Sequence, residues 1–317
     1  MGAEQTAFPR PVFAEPLEPR LNMNRHDALL GALVADAASL GLHWLYDQDH
    51  IEAIESTGGL LFRQPDIAHY KDKRGYFAHE HRRAGQSTHY GESARIVGEL
   101  ALAGDYTIAN HQEKFMASFG PCGSYQGYAD KPTKQLIGRM LLEGEDLQNP
   151  SGMDDDQMPA VCVVPGLFAG DASVSDTLEA AKVISTNSDV LQAAEAVCSV
   201  LSQLLSGVEM KTALATSAQA VDGELGERMQ AALKMDAYDP LQAGEQFGLA
   251  CYVKHAMPLC WHLLHHATDF ESALLDNIRC GGDCCGRSMA LGSIAGLAFG
   301  VPGELQQKAS LANLPNL

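Results

Sequence analysis

The residues best placed to do chemistry lie near the C-terminus, in Asn277-Ile-Arg-Cys-Gly-Gly-Asp-Cys-Cys-Gly-Arg287 and the small-residue run that follows to Gly300. Gly281 and Gly282 permit a tight turn, and Asp283 stands where a helix N-cap belongs. Ser288, Ala290, Gly292, Ser293, Ala295, Gly296 and Ala298 then give a helix slim enough to lie at the centre of a bundle. Such a helix presents free N–H groups and a positive dipole end to a ligand. A capped, closely packed core helix accounts for the same residues. Cys284 and Cys285 begin that helix, where the dipole lowers a thiol pKa; Arg279 and Arg287 reinforce the shift and Asp283 opposes it. Cys280 is near enough in sequence to resolve a sulfenate or to form a disulfide, whereas the adjacent pair Cys284 and Cys285 is geometrically strained against bonding to itself. The plainer reading is three inert thiols beside a glycine turn.

Two further clusters carry ligand-type side chains. Cys260, His262, His265 and His266, with His255, share neighbouring helical turns. Imidazoles at that spacing can bind zinc, but a structural site needs four ligands and Trp261, Leu263 and Leu264 read as core. Asp154, Asp155 and Asp156 could recruit a cation, yet a charge run ordinarily faces water.

These residues need helices to position them. Leu29, Leu30, Leu33, Val34, Ala37, Leu40 and Leu45 mark an apolar helical face between Asp27 and Tyr46. Gly31, Ala32, Ala35, Ala37, Ala38, Ser39 and Gly41 let a second helix approach it closely. A short amphipathic helix is expected over 93–103, ended by Gly104. Others are expected at roughly 175–185, 189–206, 210–220, 225–235, 241–255, 256–267 and 270–278. No strand alternation or regular repeat is visible. The longest irregular stretches, roughly 56–90 and 144–160, are of the length that often serves function.

The 317-residue chain carries 46% hydrophobic and 20% charged residues, an ordinary globular mixture. Pro9, Pro11, Pro16 and Pro19 mark 1–22 as an extension; nothing linker-like divides 23–317, so one domain is expected there. The net charge of −18 repels phosphate backbones and anionic lipid, which argues against nucleic-acid and membrane partners. No apolar run is long enough to span a bilayer, and no signal peptide is visible. Cys162, Cys198, Cys251 and Cys260 sit among apolar helical residues as free thiols would, and a reducing cytoplasmic location follows.

The segment 281–300 resembles the C-terminal motif of the ADP-ribosylglycohydrolase superfamily, GGDTDT followed by an Ala/Gly-rich helix. Gly31-Ala-Leu-Val-Ala-Asp-Ala-Ala-Ser-Leu-Gly41 resembles the family's opening helix, GxxxGDAxG. The resemblance spans roughly residues 27–300. It implies an all-α, orthogonal multi-helix bundle and a two-magnesium site that orients an ADP-ribosyl group while a carboxylate-activated water cleaves its glycosidic bond. It also implies that His43, Trp44 and Tyr46 border the ligand cleft, where an aromatic ring could stack on a base. Carried over residue by residue, Asp283 keeps the first carboxylate of the C-terminal motif, while Cys285 takes the second and Gly286 the following threonine. The early Thr-Asp-Asp motif falls on Thr88, His89 and Tyr90, with Glu92 close enough to substitute. Magnesium takes hard oxygen ligands and is poorly served by a thiolate, so the ion site is expected to be absent or reduced to one ion held by Thr88 and Asp283. Residues 32–47, 125–134 and 281–287 are more similar still to the J-crystallin and selenoprotein J branch, which includes lens structural proteins and departs from the same ligand set.

Three functions follow. The first is hydrolysis of an ADP-ribosyl N- or O-glycosidic bond, with Asp283, Cys285 and Glu92 as candidate catalytic residues. Asp36, Thr88, Tyr90, Gly281, Gly282 and Cys284 would then contact the ADP-ribose-type ligand or ADP-ribosylated substrate. The second is a non-catalytic crystallin-like or nucleotide-binding role. The third is thiol or redox chemistry at Cys285.

Overall fold

A computed structural model describes residues 24–235 and 238–311; the extension expected over 1–22 lies outside the described residues. Fifteen α-helices and no strand occur among the described residues. In chain order they are α1 (His26–Ser39), α2 (Gln48–Thr57), α3 (His89–Ala103), α4 (Ile108–Phe119), α5 (Lys131–Glu143), α6 (Val163–Ala169), α7 (Val174–Ala181) and α8 (Ser188–Leu205). Then come α9 (Met210–Ala220), α10 (Gly223–Leu233), α11 (Pro240–Phe247), α12 (Val253–His266), α13 (Phe270–Cys280), α14 (Cys284–Phe299) and α15 (Gly303–Lys308).

The centre is the pair α1 and α14. Every residue from Ala28 to Ser39 and from Cys284 to Leu297 is buried, so neither helix has a polar face. A helix that is apolar all round belongs inside other helices; the single apolar face expected for α1 is in fact buried on every side. Glycine makes the close crossing possible. A Cβ on Gly31 would lie 2.2 Å from the Gly292 carbonyl oxygen and 2.8 Å from Gly296 Cα. Helices α3, α6, α12 and α13 pack around this pair.

The expected helix at 93–103 starts four residues earlier, at His89, because Thr88 caps it by accepting from Tyr90 N. It ends as expected at Gly104, in the left-handed conformation (φ 74°). The run expected over 241–255 divides in two, since Gly248 adopts φ 91° after α11 and Tyr252 opens α12. Helices α2, α4, α5, α6 and α15 were not anticipated. In α4 only His111, Phe115 and Ser118 are buried, too sparse an apolar stripe to read. The long stretches before α3 and before α6 contain only short 3-10 turns, as expected.

Candidate active site

Three chain segments converge at one end of the α1 and α14 pair: the last turns of α1 with the residues after it, the start of α3, and the glycine turn before α14. Gly281 and Gly282 both have positive φ (76° and 66°), and a Cβ on Gly282 would sit 2.3 Å from the Leu249 carbonyl oxygen. Only glycine fits that turn without strain. The turn is tied to the end of the first helix by Trp44 N to Gly282 O and Gly282 N to Leu45 O, each 2.7 Å. Arg287 is fully buried and spans the same turn, donating to Asn277 Oδ1 (2.7 Å), Asn277 O (3.0 Å) and Gly281 O (2.6 Å).

Asp283 caps α14 as expected, accepting from Gly286 N at 3.1 Å. Its carboxylate also accepts from His43 Nε2 (2.7 Å, at Oδ1) and from the Tyr90 hydroxyl (3.1 Å, at Oδ2). Burial opposes its charge, but the His43 hydrogen bond, Arg287 and the Gly286 amide hold Asp283 below the usual carboxylate range. Gly286, where the resembled motif has threonine, is required by this pose: a Cβ there would lie 2.1 Å from Asp283 Oδ2. Tyr90 is fully buried and its hydroxyl is pushed well above its ordinary pKa by burial and by Asp283, so it remains a donor.

The neighbouring carboxylate is Asp36 on α1. Thr88 N donates to its Oδ2 (2.7 Å) and Thr88 Oγ1 to its Oδ1 (2.6 Å). Burial raises Asp36 to about 6 against those two hydrogen bonds. Gly91 leaves room for it, since a Cβ would come within 2.2 Å of Asp36 Oδ2. The structure therefore brings Asp36, Thr88, Tyr90, Gly281, Gly282 and Asp283 together.

Glu92 is not part of that group. Its carboxylate is bound by Arg95 (2.7 and 2.9 Å) and accepts from Ser118. Although burial opposes this, those bonds hold it below its ordinary pKa, so Glu92 is a committed ion-pair partner and a poor proton donor. The thiol expectation is corrected as well. Cys284 and Cys285 are fully buried, with their sulfurs toward Ser39 O and Asp36 O. Burial and the adjacent Cys284 push Cys285 well above the ordinary thiol pKa, overriding the helix dipole. Burial likewise pushes Cys280 up to about 12, and all eight cysteines are free.

The donor set does not fit two magnesium ions. Both oxygens of Asp36 are engaged by Thr88, both oxygens of Asp283 are engaged by His43, Tyr90 and Gly286, and the remaining ligand positions offer a phenol, an imidazole and a buried thiol. Among the described residues no three His, Cys, Asp or Glu side chains are grouped to hold a metal ion. The His262 cluster is an aromatic stack with Tyr238 and His266. Asp155 is buried and paired with Lys131 (2.6 Å), and Asp154 accepts from Asn187; at Asp155 the solvated loop expected from the charge run is a structural clamp.

His79 was not singled out by sequence reasoning, and His43 was expected only to border the ligand cleft. His43 joins Asp283 to His79, whose Nε2 lies 2.6 Å from His43 Nδ1. Burial lowers the pKa of both rings. His89, on a resembled aspartate position, instead bonds Asp130 (3.1 Å). Over these rings packs an aromatic rim: Trp44, Tyr76 and Tyr128, with centroids 4.9 to 6.0 Å apart. Trp44 has φ 62°, a strained conformation for a bulky residue. It is held there by Trp44 N to Gly282 O and by Tyr76 N to Trp44 O. The Tyr46 ring lies beneath Arg74, and burial and the nearby Asp283 charge raise the pKa of its hydroxyl. The only sequence signal for His79 was its place in the long irregular stretch.

A solved structure titled an ADP-ribosylglycohydrolase-related protein complex is similar to this chain, with a TM-score of 0.61 at 15% identity, over 91% of this chain and 94% of that one. No curated protein matches. The profile of the ADP-ribosylglycohydrolase family matches residues 20–314. The chain belongs to the ADP-ribosylglycohydrolase family.

Proposed function

We propose that this protein hydrolyses an ADP-ribosyl-type N- or O-glycosidic bond at the junction of α1, α3 and α14, without the family's two-magnesium arrangement. The observation that carries the reading is the convergence of two fully buried carboxylates, Asp36 and Asp283, on residues from three distant segments beneath an aromatic rim. Buried, hydrogen-bonded carboxylates beside aromatic faces are an arrangement in which a sugar is held and a water activated. The rim supplies π-faces for a base or sugar. Calorimetric titration of ADP-ribose, with magnesium and then with EDTA, tests the binding half: equal binding in both is expected, and no heat in either contradicts it.

A second reading is favoured by one observation. Every oxygen of Asp36 and Asp283 already has a protein partner, which suits a non-catalytic binder or a structural protein of the J-crystallin type. Binding without turnover of any ADP-ribosyl substrate selects it. Thiol chemistry at Cys285 loses support from the burial of that sulfur.

A further inference from the structure

Charge is spread unevenly along this chain. Lys and Arg number 22 against 40 Asp and Glu in the whole, yet residues 71–83 carry five cations against two carboxylates, Asp72 and Glu80. On the helices, cations are neutralised close by: Arg95 by Glu92, Arg139 by Glu143 and Lys182 by Glu179. Residues 71–83 leave cations over. Lys73 pairs with Asp47 (3.3 Å) and Arg74 donates to Tyr46 O (3.0 Å). Lys71 and Arg83 are exposed and enter no ion pair among the described residues. The stretch is pinned beside the aromatic rim by Tyr46 N to Arg74 O (2.8 Å) and Tyr76 N to Trp44 O (3.0 Å). Lys134, likewise exposed and outside any ion pair among the described residues, joins it there. Its Nζ lies 4.6 Å over the Tyr128 ring, which packs against Tyr76. Apolar surface accompanies the charge, with Tyr76 58% and Ile67 67% exposed.

We propose that residues 71–83 and Lys134 form a docking surface, beside the aromatic rim, for an acidic segment of a partner polypeptide. The carboxylates that this stretch lacks would come from the partner. Lys71, Lys134 and the Arg83 guanidinium are donors without acceptors, and an arginine fork matches a carboxylate in two parallel bonds. Tyr76 and Ile67 add apolar contact of the kind that peptide interfaces use and that charge alone does not supply. Charge complementarity also decides between polyanions. A nucleic acid is a long polyanion that would extend past the patch onto a protein surface of net negative charge, which repels it. A short acidic segment of a polypeptide need cover only the patch. The inference goes beyond the hydrolase reading, and its test needs no turnover.

Fluorescence anisotropy on the full chain tests this with three labelled probes: a short peptide of alternating Glu and Tyr, its Gln and Tyr counterpart, and a single-stranded oligonucleotide of similar charge. The Glu peptide should bind best, and raising salt from about 0.02 M to about 0.3 M should weaken it. Two double variants of equal net charge separate the patch from the overall field. Lys71→Glu with Arg83→Glu should weaken binding by roughly tenfold or more. Lys211→Glu with Lys234→Glu, both exposed and on other elements, should weaken it less than about twofold. Circular dichroism and the unfolding midpoint should match the wild type in both, since all four side chains are exposed. No binding of the Glu peptide at low salt, an equal loss in the two variants, or tighter binding of the Gln peptide or the oligonucleotide would each overturn the proposal. None of these results depends on whether the protein hydrolyses an ADP-ribosyl bond.

Discussion

At the scale of single residues, this molecule keeps several ionisable groups out of water, Asp36, His43, His111 and Asp283 among them, and each makes a measurable demand. His111 on α4 is fully buried, bonded through Nδ1 to the Tyr106 hydroxyl, and lowered by burial from 6.5 to about 4. A histidine whose folded pKa lies below its unfolded value binds its proton more readily in the unfolded chain. Its contribution is therefore present above pH 6.5 and is lost as pH falls toward 4. The loss amounts to about 3 kcal/mol at most. Replacing it in His111→Phe should flatten the acid limb of stability between those pH values, as urea unfolding at a series of pH values would show; an unaltered limb would contradict the assignment. Tyr90→Phe removes one donor from the Asp283 carboxylate and should cost about 1 to 2 kcal/mol in the same assay, while a neutral effect would mean the hydroxyl does not satisfy that carboxylate. Asp283, Thr88 and Asp36 were legible from residue type and motif spacing. The partners that define their chemistry were not, because the His43 bonds to Asp283 and His79 bridge 240 and 36 residues of sequence. Nothing local to His79 marks it. The thiol expectation at Cys285 failed for the converse reason: helix position was legible, and burial was not.

Among the elements, what fixes the site is how closely α1 and α14 cross. Gly31, Gly292 and Gly296 bring the two backbones into contact, and this sets where Asp36 stands relative to Asp283. Gly31→Val should therefore destabilise the fold by about 3 kcal/mol or more through overpacking against backbone that cannot yield, seen as a lowered midpoint of chemical unfolding. A change under about 0.5 kcal/mol would show that the helices can separate freely. The small-residue runs made this crossing readable in advance. They did not reveal that α1 is enclosed on all sides, since a leucine on a helix face reads the same whether one neighbour covers it or four. Helices such as α5 escaped notice because their start depends on a cap, here Asp130 accepting from Thr133 N, and on a sparse apolar stripe.

For the whole molecule, the net charge of −18 discourages anionic surfaces, and among the described residues no helix is long and apolar enough to cross a membrane. Family membership supplies the scaffold, and a scaffold alone does not fix an activity. What distinguishes this chain is that protein hydrogen bonds occupy the carboxylates from which a two-metal site would be built. The central claim is thus hydrolysis that does not depend on magnesium. The most direct measurement is release of ADP-ribose from N- and O-linked ADP-ribosyl substrates by the wild type in EDTA, beside folded Asp283→Asn. The account predicts release that is undiminished by EDTA and falls by roughly 10³-fold or more in the variant; no release, or release only when magnesium is restored, would contradict it.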